Sequence, residues 1–219
     1  MTDVSQSLLA RFEVTTTEVE IGDDRFSIVH PKNAEELIDE AAFNHDERLP
    51  YWADVWPASI ALARAVHAMD GSGRTFLELG CGSGLVAVSA ARAGFDVTAS
   101  DYYDDALSFT RLNVANNTSQ EPKVMLLDWR ELPDAIPAFD VVAGADVLYE
   151  RIHGPVVART IATTLVEGGR ALIADPGRVG APAFFEALRD VGLKHVGATV
   201  VTVSSHGRDN LITVHEISR

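Results

Sequence analysis

The chain has few of the residues that signal an oxidising, membrane or nucleic-acid setting. It has one cysteine in 219 residues, Cys81, so no disulfide can close within it, and a reducing, cytoplasmic setting is expected. Positive charge is scarce: 18 Lys and Arg stand against 32 Asp and Glu, a net charge of −14 with a pI near 4.8. An acidic surface repels phosphate backbones, so nucleic acid is not expected as a partner, and a basic or protein partner suits it better. No apolar run approaches the roughly 20 residues that cross a bilayer. The opening MTDVSQSLLARFEV has no basic segment leading into an apolar one, so neither a membrane association nor a secretory leader is expected. The seven histidines are scattered, none at ligand spacing with Cys81 or with acids, and no metal site is expected. The DYYDD run lacks the alternate spacing of a calcium loop, and there are no repeats or low-complexity tracts.

Apolar residues, by contrast, make up 47% of the chain, enough for one sizeable domain over residues 1–219. RFEVTTTEVEIGDDRFSIVHP reads as a hairpin turning at GDD. NAEELIDEAAF reads as a short helix with Asn33 as its N-cap. LPYWADVWP reads as a loop, with Pro57 opening the next helix. Residues 1–56 thus form an extension and covering loop, and 57–219 a core.

In the core, strands and helices alternate: TFLELG, FDVTASD, PKVMLLD, AFDVVAGAD and RALIADP read as strands. Leu85–Ala93, Asp104–Asn117 (with Asp104 as cap), His153–Val166 (ended by EGG) and APAFFEALRDVG read as helices between and after them. KHVGATVVTV and DNLITVHEI follow as a hairpin around SSHGR. The pattern predicts an α/β fold, a mostly parallel sheet ending in an antiparallel strand with helices on both faces.

Chemistry concentrates in FLELGCGSGLVAVSAARAGFDVTASD, where Gly80, Gly82 and Gly84 stand at alternate positions between a strand and a helix. Glycines there let a backbone come close to a ligand. The spacing departs from the dinucleotide pattern, since Leu85 stands where its third glycine belongs. Glu78, just before the loop, would repel a pyrophosphate but accept from an amine. Asp101 ends the next strand about twenty residues on, where an acid binds ribose hydroxyls in such folds. A packing turn would need the glycines but not the acids. Asp128 and Trp129 end the third strand, and there an ordinary turn acid is the alternative.

Together these residues resemble the class I S-adenosylmethionine (SAM) methyltransferases, which have a Rossmann-like seven-stranded sheet. The resemblance implies that SAM is held by Trp56, Glu78, Gly80, Cys81, Gly82, Ser83, Gly84, Asp101, Tyr102, Asp128, Trp129 and Ala145. Within the loop, Cys81 reads as a small packing residue and not a nucleophile, since no His or Lys near it in sequence would lower its pKa. After the fourth core strand comes GADVLYE, in which Asp146 and Tyr149 form D-x-x-Y. With LPYWADVWP, this resembles the seven-strand protein-lysine methyltransferases of family sixteen. ADPGR is similar to the branch that acts on the β subunit of electron-transfer flavoprotein, although Ala58 and Ser59 stand where that branch has two glycines after W-P.

The resemblance runs from about Leu49 to Arg178. It implies transfer of a methyl group to a lysine of a protein, with Asp146 acting on the amine and Tyr149 walling its channel. A helix N-cap is the alternative for Asp146, and Arg178 is a candidate partner for Asp175 or for substrate. Two other functions stay open: a SAM-dependent methyltransferase of a small molecule, and a SAM-binding protein without turnover.

Overall fold

The computed structural model describes residues 8–37, 49–205 and 207–219. Strands β1 (Val14–Ile21) and β2 (Asp24–Pro31) form the expected antiparallel hairpin, with Ile21 opposite Asp24 across a two-residue turn. Its alternating pattern buries Val19, Ile21, Phe26 and Ile28. The helix expected over NAEELIDEAAF begins as a 3-10 turn at Ala34–Leu37, where Asn33 Oδ1 accepts the Glu35 N–H at 3.1 Å. The remainder of that segment lies outside the described residues.

The core runs α1 (Pro57–His67), β3 (Thr75–Leu79), α2 (Leu85–Arg92), β4 (Asp96–Asp101), α3 (Asp104–Asn117), β5 (Lys123–Leu126), β6 (Phe139–Ala145), α4 (His153–Thr164), β7 (Leu165–Asp175), α5 (Ala181–Asp190), β8 (Lys194–Ser205) and β9 (Arg208–Ser218). Strand order in the seven-stranded sheet is β5-β4-β3-β6-β7-β9-β8. All pairings from β5 to β7 are parallel, and β9 is antiparallel to both of its neighbours.

Successive residues of β3 serve opposite cores. Phe76 joins Leu62, Val66, Val86 and Phe95 under α1 and α2; Leu77 joins Val142, Ile161 and Phe184 under α4 and α5. Burial on both faces explains the nearly continuous apolar runs of these strands. Each such large side chain contributes about 1.5–3 kcal/mol.

Several boundaries differ from expectation: β5 stops at Leu126, two residues short of Asp128, and Asp104 lies inside α3, whose N-cap is Tyr103. Helix α4 stops at Thr164, and EGG does not end it but lies inside β7. Leu165, wholly buried, leaves the helix directly in extended conformation and pairs with Phe139; the next partners are Val141 and Arg170, so residues 166–169 bulge out of the ladder. In the closing hairpin, Ser205 pairs with Arg208, so the strands absorb most of SSHGR. The last strand is antiparallel as expected but lies between β7 and β8, where Ile212, Val214 and Ile217 are buried.

The chain leaves β3 toward β4 and β5, then crosses back to β6 and β7. That reversal opens a crevice at the carboxyl ends of β3 and β6, where ligands of open α/β sheets sit.

Candidate active site

A cleft of about 560 Å³ fills this crevice. Its floor is the glycine loop. Gly80, with φ +68°, lies against the Trp129 ring, which a Cβ there would approach to 3.3 Å. Gly84, with φ +86°, meets α3 so closely that a Cβ would fall 2.7–2.9 Å from Thr110.

Glu78 is 2% exposed, and its Oε2 has no hydrogen-bond partner among the described residues. Burial holds its carboxyl well above the ordinary range, the neighbouring Asp101 adds to this, and a bond from the Ala87 N–H opposes it. Asp101, also buried, accepts the Gly82 N–H on Oδ2 at 2.9 Å and the Tyr103 N–H on Oδ1 at 3.0 Å. Burial raises its pKa as well, against those backbone bonds. Two buried acids on one wall, one with an unpartnered oxygen, call for a ligand bearing amine or hydroxyl donors. SAM fits that requirement, and a pyrophosphate does not.

Trp129, beside Gly80, and Tyr102 also line the cleft. Asp128 is wrapped by Arg130, whose Nη2 donates to Oδ2 at 2.6 Å and Nε to Oδ1 at 2.9 Å, and the Arg130 N–H also binds Oδ1.

The lip is formed after β6. Asp146 has φ +58°, the one positive value at a non-glycine among the described residues, a conformation that costs energy and clusters at functional sites. It caps no helix, since α4 begins at His153 behind Ile152 without a side-chain cap. Its carboxylate instead takes both Nε and Nη2 of Arg178. Asp175, one of the two candidate partners for Arg178, accepts the backbone N–H groups of Gly177 and Arg178. Burial raises the Asp175 carboxyl, and those two amides oppose the shift.

A chain of edge-on rings frames the mouth. Trp56 meets Tyr51 with centroids 5.9 Å apart, Tyr51 meets Tyr149 at 5.5 Å, Tyr149 meets His153 at 4.4 Å and His153 meets Trp129 at 6.0 Å. Trp56 is fixed by its Nε1–H on the Tyr51 carbonyl at 2.8 Å.

Thus Trp56, Glu78, Gly80, Gly82, Asp101, Tyr102, Asp128, Trp129, Ala145, Asp146 and Tyr149 line one cleft. Cys81, Ser83 and Gly84 belong to the loop but do not line it. The Cys81 thiol is buried, its pKa pushed up by that burial, and it accepts from Thr110 Oγ1 at 3.2 Å. Ser83 donates to the Trp52 carbonyl at 3.2 Å, which draws the covering loop onto the glycine loop. Tyr51, Trp52 and His153 also line the cleft. Sequence offered no motif for Tyr51 and Trp52 beyond the aromatic density of LPYWADVWP, and none for His153. Among the described residues no helix is long and apolar enough to cross a membrane.

Sheet order, glycine loop and strand-end acids define a protein of the class I methyltransferase fold. The magnesium protoporphyrin IX methyltransferase of Synechocystis PCC 6803 with bound SAH superposes with a TM-score of 0.62 at 16% identity, covering 84% of this chain and 96% of that one. The N-methyltransferase NodS of Bradyrhizobium japonicum WM9 gives 0.59 at 17%, covering 83% and 94%. Such low identity speaks for the fold alone.

Sequence goes further: residues 42–189 match the family described as lysine methyltransferase, and the chain belongs to that family. It is 34% identical over 123 residues to protein N-lysine methyltransferase METTL21A of Danio rerio, covering 52% of this chain and 56% of that protein. It is 32% identical over 152 residues to EEF1A lysine methyltransferase 3 of Mus musculus, covering 66% and 65%. With the electron transfer flavoprotein beta subunit lysine methyltransferase of Danio rerio it shares 32% over 133 residues, covering 59% and 51%. The matches span between half and two thirds of the length of these curated relatives.

Proposed function

We propose that this protein is a SAM-dependent methyltransferase of a lysine side chain on another protein. The observation that carries the reading is the unpartnered, buried Oε2 of Glu78 in the same cleft as the lip residues Asp146 and Tyr149. In this reading Glu78 holds the cofactor's amine, Asp101 its ribose hydroxyls and Asp128 its adenine amino group. Trp129, Tyr102 and Trp56 line it, and the backbone at Gly80 and Gly82 lets it approach. When bound, SAM supplies an electrophilic methyl group, so the chain needs no covalent nucleophile of its own.

What the chain must supply is alignment and a neutral amine. A lysine arrives as an ammonium. Asp146, held on the lip, attracts and orients that cation, then accepts from the amine as its proton leaves to water. The rings of Tyr51, Tyr149 and His153 keep bulk water from the channel and offer the ammonium aromatic faces. The names of the relatives support a protein substrate. ADPGR and the 32% identity to the relative named for the electron transfer flavoprotein beta subunit make that subunit the first substrate to try. The lone, buried thiol fits a cytoplasmic setting.

Incubation with tritiated SAM and an extract of the host should place label in a protein band that yields methylated lysine on hydrolysis. Label confined to small molecules, or none with SAM binding verified, overturns the reading.

A further inference from the structure

The lip carboxylate already carries a cation. Arg178 donates Nε to Asp146 Oδ1 at 2.6 Å and Nη2 to Oδ2 at 2.8 Å, covering the fork of the acid. The acid cannot easily turn away, because its left-handed backbone is pinned by its own N–H on the Ala174 carbonyl at 2.9 Å. The backbone of Arg178 is pinned too, by Asp175. Its loop is clamped to the Asp146 loop where the Gly180 N–H meets the Leu148 carbonyl at 3.0 Å. A Cβ on Gly180 would lie 2.3–2.5 Å from the carbonyl oxygens of Glu150 and Leu148, so the two loops form one unit.

The Arg178 side chain is the looser partner. It is 38% exposed, against 10% for Asp146. In this same position its guanidinium carbon lies 5.9 Å from the Trp56 ring centroid, so an aromatic face is at hand for the cation if it leaves the acid.

We infer that Arg178 is a built-in competitor for the target lysine, occupying Asp146 until a lysine presented by a docked protein displaces the guanidinium toward Trp56. This rests on the role given to Asp146 above. The consequence is selectivity. A tethered guanidinium competes at the high effective concentration of an intramolecular group. A lysine held on a docked protein is presented in the same way and can match it; a free amine in solution cannot. Arg178 thereby turns a pocket able to hold any primary ammonium into one that answers to protein lysines.

The test measures binding of a capped lysine, N-acetyl-lysine methylamide, by calorimetry to the wild-type protein, Arg178→Gln, Arg178→Met, Arg178→Lys and the double variant Arg178→Gln with Asp146→Asn. Thermal melts check each fold, and the apolar Met stem guards against a packing defect peculiar to Gln. Removing the competing cation should tighten binding roughly twofold to fivefold in the Gln and Met variants, about the worth of one partly exposed charge pair. Arg178→Lys, which keeps a cation, should return the affinity toward wild type, and the double variant should lose the gain.

Binding unchanged or weaker in folded Gln and Met variants overturns the inference and makes Arg178 a fixed support for Asp146. Failure of the capped lysine to bind any variant overturns it equally. The labelling assay keeps the two levels apart: wild-type protein that methylates lysine while neither variant gains affinity sinks only the competitor, whereas absence of labelled lysine sinks the functional reading.

Discussion

Asn113 on α3 holds Val29 on β2 as a neighbouring strand would. Its Oδ1 accepts the Val29 N–H at 2.8 Å, and its Nδ2 donates to the Val29 carbonyl at 2.7 Å and to the Ser83 carbonyl at 2.8 Å. One helical turn on, Asn117 does the same for both backbone groups of Ser27. The hairpin is thereby tied through one wholly buried amide to the glycine loop.

Asn113→Ala should therefore act at two places. It strands the backbone groups of Val29 and the Ser83 carbonyl, and unsatisfied buried groups cost about 1–3 kcal/mol each when no water reaches them. We expect a total loss of about 2–4 kcal/mol in denaturant unfolding, with SAM affinity falling as the loop loosens. Wild-type stability in that variant would show that the hairpin docks without the amide.

Glu78→Gln should raise stability and lower SAM affinity at once. In the ligand-free fold, burial makes Glu78 hold its proton to higher pH than the unfolded chain does. Its share of stability is full below the ordinary glutamate value and is lost as pH rises through the raised one. The neutral isostere removes that loss, so its melting temperature should exceed wild type at pH 8 and converge with it toward pH 4. Each kcal/mol relieved is worth about 2–4 °C at this size. Melts over pH with calorimetry of SAM binding check both signs, and a variant that binds SAM as wild type does would remove Glu78 from the cofactor site.

All three tryptophans, Trp52, Trp56 and Trp129, line the cleft. Saturating SAM should change the intrinsic fluorescence, and Trp129→Phe should remove part of that change. An unaltered emission spectrum, with binding confirmed by calorimetry, would count against a ligand between these rings.

Asp146→Asn keeps the size of the acid and most of its hydrogen bonding while removing its charge. SAM affinity should change little, and methyl transfer should fall by roughly a hundredfold or more, the scale for losing a positioned acid–base group. A folded variant with weak SAM binding and normal turnover at saturating cofactor would move Asp146 from the substrate side to the cofactor side.

The sequence by itself determined what contiguous residues encode. Apolar periods set the order of strands and helices, alternate glycines marked the loop, and acids at strand ends marked the crevice. Each of these is a local signal, because a strand end, a tight turn and the residue beside it are fixed by their near neighbours. Only the tertiary structure decided the remainder. A hairpin register says that β9 pairs with β8 but not on which side, and burial of Ile212, Val214 and Ile217 placed it next to β7. Nothing within GADVLYE foretells that Asp146 adopts a left-handed backbone, or that its partner is Arg178 on the next loop and not a helix end. The ring chain through Tyr51 and His153, and the grip of Asn113 on the hairpin, likewise join segments far apart in the chain. Such pairings are chosen by desolvation and packing among distant residues, and these forces act only once the sheet has brought its loops to one edge.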